Sequence, residues 1–93
     1  MSTLLVAGLV LVIEAVPTVR WSIDCELRDV NRSDRLLLDG AGPLRRPLDA
    51  GRADCMVTLQ AGQQLTVMLA DSRGSRARST IAGVGSKARL HQG

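Results

Sequence analysis

Apolar and polar residues alternate along most of this chain, and a period of two is the mark of strands with one buried face. Between Thr18 and Arg28 the residues Val19, Trp21, Ile23, Cys25 and Leu27 fall on one side, with Thr18, Arg20, Ser22, Asp24, Glu26 and Arg28 on the other. This predicts a half-buried strand anchored by Trp21. Its outer face alternates in charge, as expected of a wetted sheet surface with cross-strand ion pairs. Two further apolar rows, Cys55, Val57, Leu59 and Leu65, Val67, Leu69, flank Ala61-Gly62-Gln63. They read as a hairpin with a three-residue loop. Setting both rows on one face places Leu59 opposite Leu65, Val57 opposite Val67 and Cys55 opposite Leu69.

Downstream, Asp71-Ser72-Arg73-Gly74 has the residues of a type I turn and leads into a last strand from Arg76 to Ile81, with Ala77, Ser79 and Ile81 inward. Upstream of the hairpin, Asp29 to Asp34 reads as a polar turn and Arg35 to Asp39 as a short strand stopped by Gly40. Gly42, Pro43, Pro47 and Gly51 make Gly40 to Asp54 a long loop, with room for one brief edge strand near Leu44 to Leu48. Beyond Gly83 the chain is rich in glycine and polar residues. Residues 83–93 are expected to be a basic tail, ordered only where a partner subunit holds it.

The run Leu4 to Ile13 has two readings. It resembles the core of a signal peptide ending at Ala15-Val16-Pro17, yet no Lys or Arg precedes it and Glu14 interrupts it. It also falls well short of the roughly 20 residues of a spanning helix, so no membrane span is expected. Val10, Val12 and Ile13 are β-branched and Pro17 bounds them, which suits a strand. Such a strand is apolar on both faces and is expected to be buried against another copy of the chain. The chain is then a single β domain, 1–93, with an apolar N-terminal strand or arm at 1–17. The fold class is all-β, a small antiparallel β-sandwich or flattened barrel of about six to seven strands.

Composition sharpens the partner expectation. Hydrophobic residues make up 45% of the chain, with one Trp and no Phe or Tyr, so the core is thin and burial between subunits would supplement it. The net charge of +3 is uneven, because Arg73, Arg76, Arg78, Lys87 and Arg89 follow Asp71 with no further acid. That basic end is either solvated or docked on an acidic partner. No aromatic residue interleaves with the arginines, which argues against nucleic acid. The candidate partner-binding residues are Leu9, Leu11, Ile13, Arg45, Arg46, Arg76, Arg78, Lys87 and Arg89. The expected partners are other copies of the chain and other structural proteins.

Catalytic chemistry finds little footing. His91, the single histidine, lies in the tail, away from any nucleophile. Gly83-Val84-Gly85-Ser86-Lys87 lacks the spacing of a phosphate loop. Asp24 and Glu26 share a strand face but alternate with arginines, which reads as ion-paired surface. Cys25 and Cys55 are not spaced for a metal; they are either buried thiols or a disulfide of an oxidising compartment. No catalytic residue, cofactor, metal site or small-molecule ligand is expected, and the chain reads as non-enzymatic.

One segment carries a resemblance. Gly62 to Ile81, GQQLTVMLADSRGSRARSTI, is similar to the closing strands of immunoglobulin-like modules of bacterial surface proteins and phage virions. In those modules a strand of the TVTVTD type meets a D-x-x-G turn and a Thr-rich last strand. The chain has Leu65 where such modules often carry a tyrosine, and Trp21 precedes Cys25, the reverse of the antibody order. The resemblance implies a sandwich used for adhesion or particle decoration. The function expected first is therefore a phage virion accessory subunit, decorating a head or associated with a tail. The alternative is a secreted or periplasmic binding or adhesion module with a Cys25 to Cys55 disulfide.

Overall fold

The computed structural model describes residues 8–93, and these form eight strands and no helix. They are β1 (Leu9–Glu14), β2 (Arg20–Asp29), β3 (Arg32–Ala41), β4 (Leu44–Leu48), β5 (Arg52–Ala61), β6 (Gln64–Ala70), β7 (Arg76–Ala82) and β8 (Lys87–Gln92). Two antiparallel sheets face each other, sheet A in the order β4-β1-β6-β7 and sheet B in the order β3-β2-β5-β8. The architecture is a small sandwich of two open sheets, and not a closed barrel.

The alternation sets the core. Sheet A contributes Leu9, Leu11, Ile13, Leu65, Val67, Leu69 and Ile81, and sheet B contributes Trp21, Ile23, Cys25, Ala53, Cys55, Val57, Leu59, Ala88 and Leu90, all buried. Every inward position on β2, β5 and β6 named from the two-residue period is buried or, at Leu27, half-buried.

The hairpin expected at Leu59 to Leu65 is not formed. β5 pairs with β2 and β8, whereas β6 pairs with β1 and β7, so the two apolar rows face each other across the core. Alternation specifies which side of a strand is apolar; a hairpin and an arch between stacked sheets satisfy it equally. The arch turns at Gly62, which has φ of +106°, and a Cβ there would lie 2.7 Å from Val19 Cγ2. Only a glycine fits that crossing without displacing β2's entry. The hairpin does exist one strand later, with Leu65 opposite Ile81 and Thr66 opposite Thr80. Its turn is the expected one: Asp71 Oδ1 accepts the backbone N–H groups of Arg73 and Ser75, each at 2.9 Å.

Two other expectations are corrected and one open choice is decided. β3 begins at Arg32, after the two-residue turn Val30-Asn31, and runs through Gly40 to Ala41. Gly40 does not stop the strand; it lies opposite Trp21, and a Cβ on it would fall 2.6 Å from the indole ring. Trp21 fills the space that a side chain would need, and its Nε1–H donates to Gly42 O at 2.9 Å. The tail is a strand: residues 83–86 cross back between the sheets and β8 pairs with β5 over Ala53 to Thr58. The chain itself supplies the restraint expected from a partner, and the count rises from six or seven strands to eight. Finally, Cys25 and Cys55 are directly opposite on β2 and β5 and form a disulfide, with sulfurs 2.00 Å apart.

The N-terminal expectation divides. Residues 1–7, which hold four of the ten residues of the apolar run read as signal-like, lie outside the described residues. The rest is β1, a central strand between β4 and β6, so cleavage after Ala15 to Pro17 would remove the middle of sheet A. The brief edge strand near Leu44 to Leu48 is present as β4.

A candidate binding face

Each sheet has one face outside the core, and the two differ in chemistry. On sheet B the outward rows run Asp39-Ser22-Thr58-Lys87, Leu37-Asp24-Met56-Arg89 and Arg35-Glu26-Asp54-His91 across β3, β2, β5 and β8. Opposite charges are interleaved. Arg35 donates to Asp24 through Nε at 2.9 Å and Nη2 at 2.6 Å, and Arg28 lies 4.0 Å from Glu26. The bidentate hydrogen bond from Arg35 holds the Asp24 carboxyl below the usual carboxylate range, against a smaller opposing effect of desolvation. This face is a wetted, self-paired surface, as its alternating signs predict.

The outer face of sheet A is organised differently. Its rows are Pro47-Val10-Ala70-Arg76, Arg45-Val12-Met68-Arg78 and, on β1, β6 and β7 alone, Glu14-Thr66-Thr80. An apolar stripe of Val10, Val12, Met68 and Ala70, half-buried, runs along the two central strands. Exposed arginines border it on both edges: Arg45 from β4, Arg76 and Arg78 from β7. At the usual spacing of neighbouring strands the two rims are about 14 Å apart. No described acid pairs with any of these arginines in an ion pair. At its β4 end the face has a shallow depression of about 540 Å³ lined by Val12, Glu14, Ala15, Pro43 and Arg45.

Folding thus redistributes the sequence candidates. Arg45, Arg76 and Arg78 converge on one face although more than thirty residues separate Arg45 from Arg78. Arg46 is exposed on the same edge strand with the opposite phase, and Lys87 and Arg89 lie on the outer face of sheet B. Leu9, Leu11 and Ile13 are buried in the chain's own core, so they are not surface for a second subunit. The apolar contribution of β1 to a partner face comes from Val10 and Val12. These two, with Met68 and Ala70, were missed as site residues. The signal was present as residues apolar on both sides of a strand, but only sheet order shows that β1 and β6 are neighbours.

Among the described residues no group of three or more His, Cys, Asp and Glu side chains is placed to hold a metal ion, and no helix is long and apolar enough to cross a membrane. His91 is exposed on β8 opposite Asp54. A depression of about 500 Å³ at one end of the sandwich is lined by Glu14 to Val16, Thr18, Val19 and Gly62 to Thr66, with Glu14 its one ionisable side chain. Comparison with known protein families, curated proteins and solved structures finds no match to this chain.

Proposed function

We propose that this chain is a non-enzymatic β-sandwich binding module of an oxidising compartment, secreted or periplasmic, which uses the outer face of sheet A against an acidic protein partner. The observation that carries the binding reading is the cross-strand row Arg45-Val12-Met68-Arg78, an apolar centre between two cationic rims. An apolar stripe gives contact area, and flanking guanidinium groups select carboxylates and repel basic surfaces. The compartment rests on the Cys25 to Cys55 disulfide, since such bonds persist where the surroundings are oxidising.

A second reading, the phage virion accessory subunit of a head or tail, draws on the β6 to β7 hairpin with its D-x-x-G turn, the feature shared with immunoglobulin-like modules. It no longer has the support of an apolar strand and a tail waiting for neighbours, because both are used inside the sandwich. The disulfide also departs from the antibody pattern: it joins adjacent strands of one sheet, where antibody domains bridge their two sheets.

Immobilised poly-L-glutamate tests the face. The wild-type chain is expected to be retained and to elute with added salt, and R45E/R76E/R78E is expected to pass through while R28E/R52E, altered on sheet B, is still retained. Equal retention of all three would refute the assignment of the face. Peptide mapping of protein taken from its native host without reduction is expected to recover Cys25 linked to Cys55; two free thiols there would refute the compartment.

A further inference from the structure

An open sandwich has four free strand edges, and in this chain they are not equally protected. β4 is five residues long and carries Arg45, Arg46 and Pro47. β7 and β8, seven and six residues long, each carry two cations and lie on the same side of the sandwich, joined by residues 83–86. β3 is different. It runs for ten residues with no proline, and it pairs with β2 in unbroken register from Arg32 to Ala41. Its four charges, Arg32, Asp34, Arg35 and Asp39, are two of each sign, so this long, regular edge admits a strand of matching charge order and is a template for one.

The phase of the ladder identifies which backbone groups are open. Gly42 N–H donates to Val19 O at 2.8 Å while Val19 N–H turns to Val16 O, so this single bond marks Val19 and Gly42 as a hydrogen-bonding position of the ladder, and such positions alternate along an antiparallel pair. Gly40, Leu38, Leu36 and Asp34 therefore spend their N–H and C=O groups on β2. Those of Ser33, Arg35, Leu37, Asp39 and Ala41 point to the free edge. The separation of 4.0 Å between the Cα atoms of Cys25 and Cys55 agrees, because a close pair is a non-hydrogen-bonded one and leaves Cys25 bonded to Leu36 on its other side.

We propose that β3 pairs antiparallel with β3 of a second copy, centred on Leu37. The segment Arg35-Leu36-Leu37-Leu38-Asp39 is complementary to its own reverse. Centring on Leu37 sets Arg35 opposite Asp39 of the second copy, twice, and Leu36 opposite Leu38. Leu37, which is 65% exposed in the single chain, then packs on its counterpart. The open N–H and C=O groups of Arg35, Leu37 and Asp39 meet those of the same three residues. Other centres fail. Centring on Arg35 or Asp39 opposes like charges, and centring on Leu36 or Leu38 sets a charged residue against Leu37. Charge is available for the contact: Asp39 has no ion pair among the described residues, and the bond of Arg35 to Asp24 uses Nε and Nη2, leaving Nη1. The product is a continuous eight-stranded sheet across a two-fold axis, with the half-buried Leu36 and Leu38 in a shared seam.

Light scattering coupled to size exclusion over a concentration series is expected to show a reversible dimer of the full chain. D39R places Arg opposite Arg and is expected to raise the dissociation constant about tenfold or more. The double variant R35D/D39R restores opposite charges in the same register and is expected to recover the dimer, with Trp21 fluorescence confirming that each variant is folded. S33C and A41C proteins, mixed and oxidised, are expected to cross-link to each other in preference to themselves. A monomer at every concentration, a dimer indifferent to D39R, or cross-linking of S33C mainly to itself would each overturn the proposal.

Discussion

Two glycines and one tryptophan show how much of this fold depends on single residues. Gly40 and Trp21 are one unit: the missing side chain on β3 is the site of the indole ring from β2, whose N–H is satisfied by Gly42 O. A methyl group at Gly40 must push the ring or the edge strand aside, and overpacking of this kind typically costs about 1 to 3 kcal/mol. G40A is accordingly expected to lower the denaturant midpoint and to shift the emission of Trp21, the sole tryptophan and hence a clean reporter. An unchanged midpoint would show that β3 moves freely to make room. The sequence announced Trp21 as a core anchor because its neighbours at two-residue spacing are apolar. It gave Gly40 the wrong role, since a glycine that ends a strand and one that accommodates a ring look the same in one dimension.

At the level of elements, β8 is the clearest lesson. Lys87-Ala88-Arg89-Leu90-His91-Gln92 alternates with the period of a strand, and Ala88, Leu90 and Gln92 are buried. Glycine content and charge make the sequence from Gly83 onward read as a tail, and that short alternation goes unread. What makes the segment a strand is the free edge of β5, which offers hydrogen-bond partners and, over the paired stretch, the apolar row Ala53, Cys55 and Val57. If β8 is part of the core, L90A is expected to cost about 2 to 5 kcal/mol, as for a buried leucine elsewhere. R89A, on the outer face, is expected to fall within about 0.5 kcal/mol of wild type. Chemical denaturation of the two variants measures both; equal and negligible effects would mean that the last ten residues contribute nothing to stability. The same blindness to neighbours explains the arch between β5 and β6, where the local pattern fitted a hairpin and sheet order placed each strand elsewhere.

For the molecule as a whole, a core with one aromatic residue leaves little margin, and the disulfide across the two central strands of sheet B supplies part of it. Closing a loop of 30 residues restricts the unfolded chain by about 3 to 4 kcal/mol in the chain-entropy description. Thermal melts with and without a reductant are expected to show a large drop on reduction, and C25A/C55A is expected to behave like the reduced protein; coincident melts would contradict a stabilising role. The amino-acid sequence by itself determined that the chain is all-β, which side of each principal strand is buried, and where the Asp71 to Gly74 turn falls. These properties are local, set by the two-residue period of side chains and by turn chemistry. Tertiary structure alone decided which strands are neighbours. It turned the apparent hairpin into an arch, consumed Leu9, Leu11 and Ile13 in the core, joined Cys25 to Cys55, and assembled Arg45, Arg76 and Arg78 around Val12 and Met68. Backbone hydrogen bonds between strands are indifferent to side-chain identity, so pairing is settled only when both faces of every strand compete at once for burial.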